Sequence, residues 1–178
     1  MRPVRAACLG TATALAALLA CAPVTSAATG TGSAHGAGHG KGRAPVLTLT
    51  AELAQRTPFP VNPGGPAAQG DRVVVRSILK DEGGNVVGES GGTCVLTRAA
   101  VEGDPGGAEE CIVTYTLPDG QITAQGMYFG TLNPGPPPSF DNAITGGTGR
   151  YAKARGTVHS DTTIVDGKVV RHLTFTFG

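Results

Sequence analysis

Tryptophan is absent from this 178-residue sequence, and the other aromatic residues are few, with three Tyr and five Phe. Charged residues make up only 15% of the chain, and the formal net charge at pH 7 is +1. A chain so close to neutral lacks the basic surface typical of nucleic-acid-binding proteins, so the sequence predicts no nucleic-acid partner. Glycine and proline are abundant instead, with 28 and 13 residues, and 40% of residues are hydrophobic. This composition favours a folded core with many turns over a bundle of long helices.

The first 28 residues have the organisation of a secretory signal peptide. Arg2 and Arg5 precede an apolar stretch at residues 6–22, and small residues follow at 25–28. The apolar stretch is shorter than the roughly 20 residues that span a bilayer, which favours cleavage over retention as an anchor. We therefore expect a secreted, extracellular protein.

The position of the mature N-terminus has more than one interpretation. Cleavage after Ala28 and cleavage after Ala27 both satisfy the rule that small residues precede the cut. Alternatively, residues 18–21, with the sequence LLAC, resemble a bacterial lipobox. In that case Cys21 is the lipidated first residue and attaches the protein to a membrane; otherwise no membrane partner is predicted.

Residues 29–45 form a Gly-rich segment without an apolar period. Such a segment buries too little surface to offset the entropy of ordering it, so it predicts a flexible linker. His35 and His39 lie within this linker, but two histidines in a flexible segment are a weak ligand set. The sequence predicts no metal site.

Removal of the signal peptide leaves Cys94 and Cys111 as the two remaining cysteines. An even number of cysteines in an exported chain favours a disulfide, because oxidising compartments preserve such bonds. We expect Cys94 and Cys111 to be bonded to each other, with two reduced, buried thiols as the alternative.

From residue 46 to residue 178 the sequence has the pattern of an all-β domain. Short runs with a period of two are separated by turns rich in Gly, Pro, Asn and Asp. The predicted strands are residues 46–54, 71–80, 85–90, 92–98, 110–117, 121–130, 151–164 and 168–177. In an alternative interpretation, 85–90 and 92–98 form one strand kinked at Gly91–Gly92, and residues 143–145 supply the eighth strand. Consecutive antiparallel hairpins without crossover helices predict an eight-stranded up-and-down β-barrel, which has no exposed sheet edge.

The last hairpin predicts which of its side chains face inward. If Asp166–Gly167 is a two-residue turn, Val165 lies opposite Lys168. The face that contains Arg171 and Phe175 is then the core face. The other face places Asp161 opposite His172, a pair that we interpret as a surface contact because no Ser nucleophile in an elbow turn accompanies it.

A second hairpin predicts polar groups inside the barrel. With residues 118–120 as a three-residue loop, Leu117 lies opposite Gln121, so Tyr115 and Gln125 both face inward. Buried polar groups need partners, which a ligand can supply. The predicted ligand-pocket residues from both hairpins are Thr123, Gln125, Met127, Phe129, Arg171 and Phe175.

Residues 142–158 carry the most informative motif, NAITGGTGRYAKARGTV. The segment lacks the GxxxxGK[ST] order of a phosphate-binding loop. It resembles the A-[IV]-x-G-G-T-G-x-[FY]-x-x-A-R-G signature of the allene oxide cyclase and dirigent protein superfamily, with looser matches at residues 70–71 and 86–92. The resemblance extends over about residues 46–178.

This resemblance implies an eight-stranded barrel, often dimeric or trimeric, with an apolar cavity that opens at one rim. It also implies cyclisation or stereoselective coupling of a hydrophobic small molecule without a bound cofactor, an isomerase-like activity. Arg155 matches an arginine linked to activity in dirigent proteins, and it is predicted as a catalytic residue together with Tyr115. The alternatives are a secreted carrier without catalytic activity and a structural protein whose barrel is filled by side chains.

Overall fold

The computed structural model describes residues 45–100, 107–129 and 139–178. The predicted signal peptide and most of the predicted linker lie outside these residues. The strands are β1 (Val46–Phe59), β2 (Arg72–Lys80), β3 (Val86–Arg98), β4 (Ala108–Leu117), β5 (Gly120–Phe129), β6 (Phe140–Gly147), β7 (Gly156–Val165) and β8 (Lys168–Phe177). A short 3-10 turn, Gly149–Tyr151, lies between β6 and β7. None of the described residues forms a helix long and apolar enough to cross a membrane.

Each strand pairs antiparallel with the next, and β8 pairs with β1 from Thr176 opposite Val46 to Val170 opposite Glu52. The sheet is therefore a closed barrel. This closure satisfies the backbone groups of both terminal strands and leaves no free edge. The predicted all-β, eight-stranded antiparallel barrel is confirmed.

The alternative assignment of the strands is the correct one. Residues 86–98 form the single strand β3, and β6 supplies the eighth strand. The two largest errors in the predicted boundaries concern β1 and β7. A bulge between Leu53 and Gln55 lets β1 continue to Phe59, and the 3-10 turn delays the start of β7 to Gly156.

The two ends of the barrel differ in how they are filled. We call the end with the 3-10 turn the Tyr151 end, and the opposite end, where β8 begins, the Arg171 end. Large apolar side chains fill the barrel from the Tyr151 end to its middle, among them Leu79, Ile122, Leu173 and Phe175. The Tyr115 ring stands edge-on to Phe175, with centroids 5.0 Å apart. Smaller side chains line the Arg171 end, which leaves space there.

The turn between β4 and β5 corrects one sequence prediction. Leu117 pairs with Gly120 rather than with Gln121, so the turn contains two residues instead of three. Side chains alternate between the faces of a strand, so this shift of one residue moves the predicted inward set of β5 to the outer face. The inward residues of β5 are Ile122, Ala124 and Gly126.

A contact with the GGTG segment accompanies this register. The N–H of Thr148 donates to the Gln121 carbonyl at 2.8 Å, and the N–H of Gln121 donates to Thr148 Oγ1 at 3.0 Å. Gly120 has a φ of 140°, and a Cβ at this position would lie 2.2 Å from the Thr148 carbonyl oxygen. Only glycine tolerates this combination of conformation and close approach. A remote segment therefore favours the two-residue turn.

Cys94 lies directly opposite Cys111 on β3 and β4, with their Cα atoms 4.1 Å apart. Both residues are buried, and their side chains form a disulfide inside the barrel. The predicted pairing of the two cysteines is confirmed.

Candidate functional site

A cavity of about 280 Å³ occupies the Arg171 end of the barrel. Its wall consists mainly of Ala, Val and Leu side chains from β1, β2, β4 and β8, together with Ser77 and Cys94. Three charged residues also contact it, namely Arg56, Glu109 and Arg171. A pocket with apolar walls and a few charged groups is typical of sites for small organic molecules.

Arg171 faces the interior, as the last hairpin predicted. It is half-buried on β8, where Ala51 and Thr162 lie opposite it on the neighbouring strands. Its guanidinium carbon lies 5.4 Å from the centroid of the Phe140 ring, within the range of a cation–π contact. The contact holds a positive charge beside the cavity.

Glu109 and Arg56 are two residues of the cavity that the sequence analysis missed. Glu109 is 8% exposed and lies on the inner face of β4, and Arg56 follows the bulge in β1. Glu109 lies just before the predicted strand 110–117, and Arg56 lies just after the predicted strand 46–54, so neither was assigned to a face. With one carboxylate and two guanidinium groups, the cavity has an excess of one positive charge, which favours an electron-rich oxygen on a ligand.

The loop between β1 and β2 is fixed beside this end of the barrel by Asp71. Its carboxylate accepts hydrogen bonds from the N–H groups of Val61 at 2.8 Å and Ala68 at 3.0 Å. These bonds, that from Val61 most of all, lower the pKa of Asp71. The Asp71 side chain therefore stays ionised and orders this part of the rim.

A recess of about 30 Å³ extends from the cavity toward the middle of the barrel. Ala51, Val75, Ser77, Val113 and Arg171 line both the cavity and the recess. The polar residues that line only the recess are Ser90, Tyr115 and Asn142. The recess therefore adds neutral polar groups to the charged groups of the cavity.

Tyr115 faces inward, as predicted, and is 4% exposed. Burial raises the pKa of Tyr115 to about 12, against the smaller opposing effect of the Arg171 charge. The phenol is therefore neutral near pH 7. In this form Tyr115 is a hydrogen-bond donor and not a base.

Asn142, on β6, is 2% exposed. Within the described part of the chain, its side-chain carbonyl oxygen has no hydrogen-bond partner. Gly126 leaves the space for this oxygen, since a Cβ at position 126 would lie 2.2 Å from Asn142 Oδ1. The sequence analysis treated Asn142 only as the start of a motif, although its spacing of two from the buried Ile144 placed it on the inner face.

Four predicted pocket residues on β5 have their side chains on the outer face, so their assignment to the interior is wrong. They are Thr123, Gln125, Met127 and Phe129. Gln125 Nε2 donates to Glu110 Oε1 at 2.6 Å, and Met127 and Phe129 are about half exposed. Phe175 does face inward, but it is fully buried in the core behind Tyr115.

Arg155 lies at the Tyr151 end, opposite to the cavity. It is exposed, and its guanidinium donates to the Ala154 carbonyl at 2.7 Å. Together with Tyr151 and Phe177 it lines an open groove on this end. The catalytic role predicted for Arg155 by resemblance stays a prediction, and no shared site with Tyr115 is present in the described residues.

The predicted pairing of Asp161 with His172 on the outer face is confirmed, but Asp161 also belongs to a different cluster. His159 Nδ1 lies 2.7 Å from Asp141 Oδ1, and His159 Nε2 lies 3.3 Å from Asp161 Oδ1. The hydroxyl of Ser139 donates to Asp161. The bond with Asp141 is the main cause of a raised pKa for His159, and the bond from Ser139 is the main cause of a lowered pKa for Asp161.

This cluster is not a catalytic triad. In a triad the serine hydroxyl contacts the imidazole that removes its proton. Here Ser139 contacts a carboxylate and the imidazole lies between two carboxylates, so the hydroxyl does not contact the imidazole that would remove its proton. The cluster joins β6 to β7 on the outside of the barrel.

One group of potential metal ligands is present among the described residues, formed by Cys94, Glu109 and Cys111. The two sulfur atoms are bonded to each other. A disulfide offers no thiolate to a metal ion, so this group carries no metal assignment.

Residues 46–172 match the family described as the allene oxide cyclase barrel-like domain. The chain belongs to the allene oxide cyclase barrel-like family. The predicted family membership is thereby confirmed. A search among curated proteins found no match.

Several solved structures share the fold of this barrel. One is a pyocyanin demethylase, which is 28% identical to this chain with a TM-score of 0.57, and the match covers 72% of this chain and 98% of the demethylase. The Diels-Alderase AbmU from Streptomyces koyangensis is 20% identical with a TM-score of 0.58, covering 78% of this chain and 71% of AbmU. A pterocarpan synthase dirigent protein is 15% identical with a TM-score of 0.54, covering 75% and 86% of the two chains.

Proposed function

We propose that this barrel binds a hydrophobic small molecule in the cavity at its Arg171 end and directs the cyclisation or stereoselective coupling of that molecule. The observation that carries this proposal is an interior cavity of about 280 Å³ with aliphatic walls and a cationic group held over an aromatic ring. The barrels of a Diels-Alderase and of a dirigent protein, which have the same fold, support it.

In this proposal, the walls of the cavity limit the conformations of a flexible substrate. Holding reacting groups close together lowers the entropic part of the barrier, and this effect needs no covalent intermediate. Arg171 is placed to stabilise negative charge that develops on a substrate oxygen, since a fixed cation beside an apolar wall acts with little screening. Tyr115, which is neutral, supplies a hydrogen-bond donor below it.

Two alternatives differ in what they require of the cavity. A structural protein would need a barrel filled by side chains, and the size of the cavity argues against that. A carrier without catalytic activity would use the same cavity and the same contacts. Turnover therefore separates the carrier from the cyclase-like protein.

The proposal includes two further expectations from the sequence. The protein forms a dimer or a trimer, and it functions without a bound cofactor.

Native mass spectrometry of the full protein, recovered from the host that secretes it, tests the proposal. An organic extract of the same sample identifies any bound molecule. We expect a co-purifying hydrophobic compound that the purified protein then converts to a cyclised or coupled product. Val75→Phe, which fills the cavity from β2, is expected to lose the compound.

Val86→Phe is the matched control, because Val86 is 66% exposed and lies outside the cavity. It should retain the compound, and thermal unfolding verifies that both variants fold. Recovery of the same compound from Val75→Phe would contradict binding in this cavity. Binding without turnover would leave the carrier as the function.

A further inference from the structure

Arg171 carries a positive charge inside the barrel that is not paired with a carboxylate of the described residues. It is half-buried, and none of the ion pairs in the described part of the chain includes it. An arginine does not lose its proton in a protein, so a partly buried guanidinium is best stabilised by a negatively charged partner. Its contact with the face of the Phe140 ring leaves the N–H groups at the edge of the guanidinium plane able to bind an anion.

The charge of Arg171 lies beside the recess, where no acidic residue compensates it. Phe140, the ring that the guanidinium contacts, lines the recess, and so does Tyr115. The Arg171 charge also acts on the Tyr115 phenol, since it opposes the rise in the pKa of that group. Glu109 lines the cavity, but none of the described residues that line the recess is acidic. The guanidinium and the phenol therefore border one space that has a net positive charge.

The recess has the size and the polar groups for one carboxylate. Its volume is about 30 Å³, and a bound water needs about 10–15 Å³ of such space, so the recess admits a small polar group and not a ring. The hydroxyls of Ser77, Ser90 and the neutral Tyr115, which line it, are able to donate hydrogen bonds. Because the recess and the cavity share five wall residues, a molecule whose apolar body occupies the cavity can extend its carboxylate into the recess.

We infer that the ligand of this barrel is a hydrophobic carboxylic acid, bound through its carboxylate to Arg171 with its apolar body in the cavity. The inference rests on the proposed function and specifies the substrate class. Arg171 is a specificity residue in this description, and Tyr115 is a second donor to the same carboxylate. A carboxylate that is conjugated with the reacting part of the molecule also places its oxygen where Arg171 stabilises developing charge.

The probes 2-naphthoate and 2-naphthamide test the inference on the full protein, because they share a two-ring body and a planar head group and differ in charge. The protein contains no Trp, so the fluorescence of the naphthalene ring reports binding without interference from indole. We expect naphthoate to bind about tenfold more tightly than naphthamide, since hydrogen bonds to a charged acceptor are about twice as strong as neutral ones. The compound that co-purifies with the protein should be an acid, and its methyl ester should bind about tenfold more weakly.

Arg171→Met keeps most of the apolar stem and removes the charge. This variant should bind the two probes with affinities equal within about twofold, and Arg171→Gln serves as a second neutral variant. Arg171→Lys retains the charge and should keep a preference for naphthoate of about threefold or more. Arg76→Met is the matched control and should keep the tenfold preference, because Arg76 pairs with Glu89 and lines neither the cavity nor the recess. Thermal unfolding verifies that each variant folds.

Equal affinities of the wild type for the two probes, or a preference for naphthamide, would overturn the inference and leave the cavity as a site for neutral molecules. A preference that survives in both neutral variants of Arg171 would also overturn it, as would a preference that is lost in Arg56→Met instead, which would assign the anion to Arg56. Loss of the preference in a folded Arg171→Lys would contradict the role of the charge. If neither probe binds the wild type and no compound co-purifies, the proposed function fails as well.

Discussion

Gly126 is a residue where one added methyl group would meet the buried side chain of Asn142. A Cβ there would lie 2.2 Å from Asn142 Oδ1, 3.1 Å from Asn142 Cγ and 3.3 Å from its Cα, so the β6 backbone also limits relaxation. We expect Gly126→Ala to lower the free energy of unfolding by about 1–3 kcal/mol, the usual cost of overpacking a core. Urea-induced unfolding measures this change.

Gly91→Ala provides the control for that prediction. Gly91 is an exposed residue of β3, and a Cβ at this position would meet nothing within 4 Å. Its substitution should change the free energy of unfolding by less than about 0.5 kcal/mol, or increase it slightly. Equal destabilisation by both substitutions would contradict the steric explanation.

Tyr115 predicts a specific dependence of stability on alkaline pH. In the unfolded chain a tyrosine ionises near pH 10, whereas burial raises the pKa of Tyr115 to about 12 in the fold. A group whose pKa is raised by folding contributes stability that is complete below the unfolded pKa and is lost as the pH rises through the folded pKa. Between about pH 10 and pH 12 we expect a loss of about 2–3 kcal/mol.

Tyr115→Phe isolates this effect, because the other tyrosines and the cavity arginine are retained. The difference in unfolding free energy between wild type and variant, followed by circular dichroism, should decrease over that pH interval. A difference that is independent of pH would show that Tyr115 ionises normally in the fold. At neutral pH the same variant removes a donor from the recess and leaves the ring contact with Phe175 in place.

At the scale of elements, the β4–β5 hairpin shows how a turn decides which residues reach the interior. Pro118, Asp119 and Gly120 have the composition of a three-residue loop, but Gly120 belongs to the strand ladder. The contact with Thr148, which comes from the connection between β6 and β7, favours this pairing. No pattern within the hairpin itself carries this information, which is why Gln125 was assigned to the wrong face.

The disulfide between β3 and β4 closes a loop with a sequence separation of 17 residues. Such a crosslink stabilises the fold chiefly by limiting the unfolded chain, by about 3 kcal/mol for a loop of this size. We expect Cys94→Ala with Cys111→Ala to lower the free energy of unfolding by about this amount. Guanidinium titration with and without a reducing agent checks the prediction.

The double variant serves as its own control for the reductant. Reduction should destabilise the wild type and leave the variant unchanged, since Cys8 and Cys21, the other cysteines, lie in the predicted signal peptide. A wild type that is insensitive to reduction, with complete reduction verified by thiol labelling, would contradict the stabilising role of the bond.

In the whole molecule, side chains fill the barrel at its Tyr151 end and leave a cavity at its Arg171 end. Phe175, Leu79 and Ile122 fill the Tyr151 half, whereas Ala51 and several valines face the Arg171 half. Interiors are close-packed where side chains suffice. The cavity thus results from small side chains that several strands contribute. Arg56, Glu109 and Arg171 line it.

The N-terminal segment predicts the first residue of the mature protein. We expect the secreted protein to begin at Thr29, after cleavage at Ala28, or at Ala28, after cleavage at Ala27. Intact-mass measurement and N-terminal sequencing of the secreted material check this. A lipid-modified chain that begins at Cys21 would contradict it, and Cys21→Ser would then release the protein from the membrane fraction.

Patterns within the sequence were sufficient to predict the barrel, the inward face of the last hairpin with Arg171, and the pairing of Cys94 with Cys111. The barrel and the face of the hairpin follow from a period of two and from short turns, which are local signals. The cysteine pairing follows from the number of cysteines left after the predicted signal peptide. The inward face of β5, the unpaired oxygen of Asn142 and the cavity at the Arg171 end became visible only in the folded barrel. They depend on hydrogen bonds with Thr148 in a distant segment, on the space beside Gly126 and on the summed volumes of side chains from many strands. No local sequence pattern contains this information.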